Sequence, residues 1–159
     1  MSVVEARNKH SSPPQQLQSR RLLRVKWRGD GNSDYKMESP FLDQSHWIAS
    51  NDLAAALRDR YPVSPGHTLI VPRRPVATVF DCTADEIAAI WRLLEECKQA
   101  IDQEFRPDGY NIGINCGDVA GQTIFHAHVH LIPRYRGDHP NPRGGVRHLM
   151  PGKGDYPAD

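Results

Sequence analysis

The segment that most constrains the fold of this chain is residues 125–135, where three histidines alternate with apolar residues. Successive side chains of a β-strand point to opposite faces of its sheet, so this spacing places His126, His128 and His130 on one face. In a helix, the same spacing would put neighbouring histidines on nearly opposite sides. The pattern therefore predicts a strand with a row of imidazole rings. Its other face would carry apolar residues towards a core: Ala127, Val129 and Leu131.

Such a row of imidazoles is compatible with several roles. A metal site formed by all three is disfavoured, because His126 and His130 would lie roughly 13 Å apart on a strand that rises ~3.3 Å per residue. Zinc–nitrogen bonds are only about 2.0–2.1 Å long, and a neighbouring pair would need further ligands from elsewhere. A half-polar edge strand without chemistry is a second interpretation. Nucleophilic catalysis fits better, because an unperturbed imidazole is largely uncharged near neutral pH and one ring nitrogen can attack while a neighbour orients the other.

The three histidines resemble the signature of the histidine-triad (HIT) superfamily of nucleotide hydrolases and transferases. Two further segments continue the resemblance in the same order: residues 61–72, which contain Pro65-Gly66-His67, and Asn115 with Gly121-Gln122-Thr123. The resemblance covers about residues 38–136. It implies the α+β HIT-like fold, an antiparallel sheet of about five strands with one long helix and a shorter helical segment.

Hydrophobic periodicity elsewhere agrees with that fold. Short strands are predicted at residues 47–49, 53–58, 67–72 and 110–116. Thr83 and Glu86 have the spacing of a capping box, which predicts a helix from about Ala84 to Glu104. Two or three strands, one helix and two strands in this order favour an antiparallel sheet with a helix on one face. The apolar stripe of the helix comprises Ile87, Ile90, Trp91, Leu94 and Ile101.

Composition divides the chain into three regions. Residues 1–37 are predicted to be a partly disordered extension, because residues 1 to about 19 are rich in Ser, Pro and Gln. Within it, Arg20–Arg28 interleaves basic and apolar residues, which indicates either an ordered edge segment or a phosphate-attracting patch. Residues 38–136 form the HIT domain. Residues 137–159 are a tail too rich in Gly and Pro for regular structure, either floppy or placing Arg143 or Arg147 near substrate phosphates.

Composition also excludes some classes of function. With 159 residues, 38% of them hydrophobic, and a formal net charge of +1, the chain is expected to be one soluble domain with no nucleic-acid partner. No run of about 18 apolar residues predicts a membrane span, and residues 1–14 lack the apolar stretch of a secretory signal. The three cysteines are widely spaced without a Cys-x-x-Cys motif, which argues against a disulfide framework. Free thiols favour a cytoplasmic location.

The family resemblance implies a role for each histidine. The middle one, His128, would attack the α-phosphorus of a nucleotide and form a nucleotidyl-histidine. His126 and His130 would orient its ring and stabilise charge, and His67 would support the triad from the upstream strand. Some relatives carry a Cys-x-x-Cys zinc pair before their first core strand, but residues 39–42 contain no cysteine here. No metal site is therefore expected.

The nucleotide-binding residues also follow from the resemblance. Asp59 matches a carboxylate that accepts hydrogen bonds from ribose hydroxyls, and Asn115 matches a residue near the scissile phosphate. Gly121, Gln122 and Thr123 would form a phosphate-facing loop, because an amide and a hydroxyl can donate to phosphate oxygens. The nucleobase would rest on apolar side chains of the early strands, with three candidates: Trp47, Ile48 and Leu57.

Several activities occur among proteins of this kind. The sequence after the triad resembles hydrolases of the fragile-histidine-triad type, which predicts cleavage of dinucleoside polyphosphates such as Ap3A or Ap4A. The alternatives are a nucleoside phosphoramidase, a nucleotidyl transferase or phosphorylase, and a nucleotide-binding regulatory protein with incidental turnover. No protein-bound cofactor is expected, although Mg²⁺ could arrive with the substrate. A homodimer is expected by resemblance, with the long helix and its neighbouring strand at the interface.

Overall fold

The structure, a computed structural model, describes residues 39–154. These residues form five antiparallel strands and one long helix. The strands lie in the order β1-β2-β3-β5-β4, and each neighbouring pair is antiparallel. The predicted α+β fold is thereby confirmed, whereas the predictions for residues 1–37 lie outside the described residues. The bounds are β1 Trp47–Ser50, β2 Ala54–Arg58, β3 Thr68–Pro72, α1 Ala84–Phe105, β4 Gly109–Ile114 and β5 Val129–Arg134.

The helix α1 begins at the predicted capping box. Thr83 Oγ accepts a hydrogen bond from the Glu86 amide, and the Glu86 carboxylate accepts one from the Thr83 amide. The same carboxylate binds Arg74 through two contacts of 2.7 and 2.8 Å, which fixes the connection from β3 to the helix. The helix ends where Arg106 adopts a left-handed conformation with φ of 49°. Capping at both ends explains why the predicted bounds agree closely with the structure.

The sheet separates two apolar clusters. On one face, α1 packs on strands β2, β3 and β5 through residues such as Ile70, Leu93 and Leu131. On the other face, Phe41 from a short 3₁₀ turn covers Leu57 and Leu69. His130 lies opposite Leu69 in the ladder, so its side chain projects from this second face. The site is therefore built on the side of the sheet that the helix leaves uncovered.

The histidine strand is shorter than predicted. β5 begins at Val129, so only His130 of the three histidines lies within it. Two contacts explain the early end of the ladder: the Ala127 amide donates to Val76 O, and His126 Nε2 bonds to Pro72 O. Proline has no amide hydrogen with which β3 could continue the ladder. The alternation of a buried and a polar face is also wrong at the start of the segment, because His126 and His128 are as buried as Ala127.

The alternation over residues 110–116 predicts a half-buried strand with Ile112 and Ile114 on its buried face. In the structure both are exposed, because β4 is the edge strand and α1 packs mainly on the other four strands and reaches β4 at Tyr110. Trp91 was also placed in the buried stripe of α1 and is exposed. It shares the helix face with Lys98 and Asp102, which contact Tyr110 of β4. The three apolar side chains thus lie on the β4 side of the molecule.

The tail has more structure than its composition suggested. Residues Gly145–Leu149 form a 3₁₀ helix, and both its first residue and the preceding Gly144 have positive φ. This turn packs on β4, where a side chain at Gly145 would approach Asn111 Nδ2 to 3.6 Å. Among the described residues, no helix has the length and apolarity needed to span a membrane. The cytoplasmic location stays a prediction.

Candidate active site

His128 is held in one tautomer by the backbone. Its Nδ1 lies 2.7 Å from the carbonyl oxygen of His126. A carbonyl oxygen only accepts, so Nδ1 carries the hydrogen and Nε2 carries the lone pair. Nε2 has no hydrogen-bond partner among residues 39–154, yet no side-chain nitrogen or oxygen of these residues is both buried and unpaired. Nε2 is therefore an uncharged, solvent-accessible nucleophile when the ring is neutral.

His126 supports the site through its backbone rather than its ring. Its Nε2 donates to Pro72 O at 2.7 Å, and its Nδ1 accepts from the Ser39 hydroxyl at 2.7 Å. The ring is almost fully buried, and Phe41 contacts both this ring and that of His128. Both ring nitrogens are occupied, so His126 orients His128 through its carbonyl oxygen. Sequence reasoning missed Ser39 and Phe41, which lie 85 to 87 residues from the histidines they contact and carry no local signal.

A second chain of contacts joins His130 to the upstream histidine. The rings of His128 and His130 meet edge to face, with their centroids 5.1 Å apart. His130 Nδ1 lies 3.0 Å from His67 Nε2, and the Val63 amide donates to His67 Nδ1. Because His67 Nδ1 accepts, Nε2 carries the hydrogen and donates to His130. The structure thus brings all four predicted histidines into one cluster.

Asp59 lies beside this pair of rings. Its Oδ2 is 3.6 Å from His67 Nδ1 and 3.8 Å from His130 Nδ1, while Oδ1 accepts from the Tyr61 amide at 2.8 Å. The carboxylate is only partly exposed and acts electrostatically on both histidines. Its predicted bond to a ribose stays a prediction.

Burial favours the uncharged form of three of the site histidines. It lowers the pKa of His130 to about 4, and the neighbouring His128 and His67 lower it further, while Asp59 opposes the shift. Burial also lowers the pKa of His67, against the attraction of Asp59. The pKa of His126 is lowered mainly by burial, although its bond to Pro72 O acts in the opposite direction. These three rings therefore stay neutral to a lower pH than a free imidazole does.

One group of side chains has the composition of a metal site. Donor atoms of Asp59, His67 and His130 lie within 4.8 Å of one another. Two of these donors already form the His67–His130 hydrogen bond, which an ion would have to replace. His126 could not join them, because both of its nitrogens are already bonded. The same three residues can therefore be described without a metal, as two hydrogen-bonded histidines with the Asp59 carboxylate beside them.

The side chain of Gln122, predicted to face a phosphate, has hydrogen-bond partners within the protein, and its contact to phosphate stays a prediction. The side chain is buried, with Oε1 accepting from the Gly117 amide and Nε2 donating to the carbonyl oxygens of Ala77 and Ile124. Both amide hydrogens and the amide oxygen thus have partners, two within the loop and one, Ala77, in the segment between β3 and α1. In this arrangement Gln122 braces the loop between β4 and β5 and offers no free donor to a phosphate.

Replacing Gln122 with alanine should therefore reduce stability. The substitution leaves the Gly117 amide and the Ala77 carbonyl without these partners in a partly buried position, at an expected loss of about 2 kcal/mol in the free energy of unfolding. Urea unfolding would measure the change. The control is Gln103→Ala, an exposed position on α1 where a change within about 0.5 kcal/mol is expected. Equal stabilities of the two variants would contradict the bracing role.

The remaining loop residues lie near one another. Gly121 has φ of 86°, and a side chain there would come within 4.0 Å of Asn115 Nδ2. Thr123 is exposed. Within the described range neither Asn115 nor Thr123 forms a side-chain hydrogen bond, so both keep their donors for a ligand. Their predicted contacts to phosphate are not tested by this geometry.

An apolar bed next to the histidines is formed by Phe41, Trp47 and Leu57, and the last two are predicted base contacts. Trp47 pairs with Leu57 across β1 and β2, and both pack with Phe41 on the face that carries His130. Trp47 Nε1 donates to Phe41 O at 2.8 Å, and Arg73 lies over its ring. Ile48 points to the other face and is exposed, since neighbours along a strand alternate. Ile48 is therefore not part of this bed.

A family model for the HIT domain matches residues 43–137. Among curated relatives, bis(5'-adenosyl)-triphosphatase from Dictyostelium discoideum is 37% identical over 62% of this chain and 66% of its own length. AP-4-A phosphorylase from Mycobacterium tuberculosis is 33% identical over 69% of this chain and 60% of its own length. The chain thus spans less than two thirds of the length of either relative.

The fold comparison gives a consistent result. The crystal structure of a HIT family protein from Bacillus anthracis superposes with a TM-score of 0.60 and 31% sequence identity. The match covers 64% of this chain and 77% of that one. It therefore extends over most of the described residues.

Proposed function

Because this chain belongs to the HIT domain family, we propose that it cleaves dinucleoside polyphosphates of the Ap3A and Ap4A type at an α-phosphate, through a nucleotidyl-histidine. The observation that most directly supports the covalent step is the 2.7 Å hydrogen bond from His128 Nδ1 to His126 O, which leaves the Nε2 lone pair accessible. The names of the Dictyostelium and Mycobacterium relatives support the substrate class.

In the first step, His128 Nε2 attacks the α-phosphorus. A phosphorus–nitrogen bond forms, and the bond from that phosphorus to the bridging oxygen breaks. Asn115 and Thr123 donate to the non-bridging oxygens, while the backbone at Gly121 can approach closely because it has no side chain. The nucleoside of the attached half rests on Trp47 and Leu57.

Departure of the second half requires a proton. His130 accepts from His67 on Nδ1, so its own hydrogen lies on Nε2. Bound phosphates bring negative charge to this ring and raise its proton affinity, in the same direction as Asp59. His130 therefore takes up a proton from solvent on Nδ1 when the substrate binds, while the hydrogen of His67 moves from Nε2 to Nδ1, beside Asp59, so that His67 Nε2 can accept from His130. The protonated His130 ring then gives the hydrogen on its Nε2 to the departing oxygen and returns to the neutral form. Water attacks the phosphorus in the second step, which breaks the bond to His128 and releases a nucleoside monophosphate.

A phosphorylase is the second candidate, favoured by the AP-4-A phosphorylase relative. The two activities share the first step and differ only in the acceptor that opens the intermediate. Phosphate in place of water would yield a nucleoside diphosphate. A phosphoramidase and a nucleotide-binding regulator remain open alternatives that the same experiment separates.

The test is a product assay with Ap3A, Ap4A and adenosine 5'-phosphoramidate, each with and without inorganic phosphate. A hydrolase yields AMP and ADP from Ap3A, and AMP and ATP from Ap4A, regardless of phosphate. A phosphorylase yields ADP and ATP from Ap4A only with phosphate. Turnover of the phosphoramidate alone, or tight AMP binding without any turnover, would reject the proposal.

We further propose that no protein-bound metal takes part and that Mg²⁺ enters only with the polyphosphate. Phosphoramidate turnover is the informative case, because that substrate has no polyphosphate chain. It should be unchanged in excess chelator.

A homodimer is the proposed assembly. Within residues 39–154, edge strand β4 has one unpaired side, and it carries Ile112 and Ile114 exposed on the face next to Trp91 of α1. An exposed strand edge beside apolar side chains favours pairing with a second copy. Burying both features would extend the sheet from one protomer into its partner.

Light scattering during size-exclusion chromatography should accordingly give twice the mass of the chain. Ile112→Lys would place a charge in the interface and should shift the protein to a monomer. The control Phe80→Lys alters an exposed residue ahead of α1 and should leave the dimer intact. A monomeric wild-type protein would contradict the assembly.

A further inference from the structure

An open cleft of about 370 Å³ lies at the end of the β4–β5 pair, and none of the catalytic steps above uses it. Its volume falls within the range of small-ligand pockets, about 300–1,000 Å³. The start of the tail forms one wall and the strand ends form the other. Its lining includes Asp108, Gly109, Asn111, Arg134, Arg136 and His139.

The cleft lies on the same face of the sheet as the reactive histidines. Across β4 and β5, Gly113 pairs with His130 and Gly109 pairs with Arg134. Paired residues project from the same face. Four residues of strand separate His130 from Arg134, so the cleft begins roughly 13 Å from His130 at ~3.3 Å per residue.

Between His130 and the cleft, the surface of β4 carries two glycines, Gly109 and Gly113. A side chain added at Gly109 or at Gly113 would meet no atom within 4 Å. Asn111 lies between these two positions on the strand, and Asn111 and Gly145 both line the cleft. A ligand that extends along β4 from His130 would therefore pass over the two glycines and meet Asn111 where the cleft begins.

Two polar groups along this path keep free donors. Asn111 Oδ1 accepts from Arg134, while Asn111 Nδ2 has no hydrogen-bond partner in the described part of the chain. The side chain of Arg136 contacts Asp108 through Nε at 3.3 Å and is 91% exposed, and the Arg136 amide also donates to this carboxylate. An amide and a guanidinium in these positions suit phosphate oxygens and sugar hydroxyls.

We propose that this cleft binds the departing half of the substrate, that is, the second nucleoside and the phosphate next to it. The inference rests on the proposed function and extends it to the second end of the substrate. The apolar bed for the first nucleoside lies on β1 and β2, whereas β4 lies beyond β5 on the other side of His130. A substrate attacked at one α-phosphate must extend from the bed past His130, and β4 provides the surface in that direction.

The test compares the binding of AMP with that of Ap4A in a His128→Ala background, where neither ligand is consumed. Gly109→Leu fills the floor of the cleft, at a position with no positive φ and with open space. Asn111→Asp is a second variant, which keeps the acceptor for Arg134 and replaces the free donor with a negative charge. Ala100→Leu adds apolar volume on the exposed surface of α1, on the opposite side of the sheet, and is the control.

Ap4A is expected to bind about tenfold more tightly than AMP, which corresponds to about 1.4 kcal/mol. Gly109→Leu and Asn111→Asp should each remove most of this advantage and leave AMP binding unchanged, whereas Ala100→Leu should preserve it. Equal affinity for the two ligands at the outset, or an advantage that survives both cleft variants, would overturn the inference. Failure of the proposed function gives a different result: no cleavage by the protein with His128 intact, whatever the binding ratio.

Discussion

Replacing His128 with alanine is expected to abolish covalent labelling by a nucleotide that carries radioactive phosphorus at the α-position. The variant lacks the only imidazole whose Nδ1 is bound to the His126 carbonyl and whose Nε2 is free. Removing the nucleophile of a covalent mechanism lowers turnover by about 10⁴-fold or more. Acid-free gel electrophoresis after a short incubation with labelled Ap3A would detect the intermediate, since phosphorus–nitrogen bonds are acid-labile.

Two further measurements separate loss of chemistry from loss of structure. The variant should bind AMP with an affinity near that of the wild type, because Trp47 and Leu57 are unaltered. His46→Ala, at an exposed histidine outside the cluster, should retain full labelling. Labelling of His128→Ala at the wild-type level would remove His128 from the role of nucleophile.

Lowering the pH should destabilise the protein through His130. The pKa of this group is about 4 in the folded chain, mainly because of burial, whereas an unfolded histidine titrates near its ordinary pKa of 6.5. Between these values the unfolded state binds more protons, so the stability present above pH 6.5 is lost as the pH falls to 4. A difference of that size corresponds to roughly 3 kcal/mol at 1.36 kcal/mol per pKa unit. The lowered pKa values of His67 and His126 act in the same direction.

Urea unfolding at several pH values from 7 to 4 would measure this loss. His130→Gln removes the titrating group and can still accept from His67, so its free energy of unfolding should fall much less over the same range. His46→Gln changes an exposed ring and should follow the wild type. Parallel curves for wild type and His130→Gln would show that His130 is not the group responsible.

Elements whose signals are local were predictable from the sequence. The helix was placed correctly because Thr83 and Glu86 cap it through bonds between neighbours in the chain. The five-strand antiparallel sheet and the order of its segments also followed from periodicity and family resemblance. Edge position has no such local signal. Ile112 and Ile114 alternate like core residues, and only the course of α1 leaves them exposed.

The candidate site shows the same division. The spacing of the histidines indicated imidazoles that act together, and the structure brings the upstream His67 to His130 as the resemblance implied. Gln122 had the residue type of a phosphate donor, yet its hydrogen bonds are used by Gly117, Ala77 and Ile124. Composition reveals which donors a chain contains, but their availability depends on partners that folding brings near.

By itself, the sequence determined which chemistry is possible here, because residue types and their spacing set the number and kind of reactive groups. Only the tertiary structure decided which nitrogen of His128 carries its hydrogen, which pKa values burial lowers, and where a second half of a substrate has room. Those properties depend on carbonyl groups, packed rings and empty space contributed by distant parts of the chain.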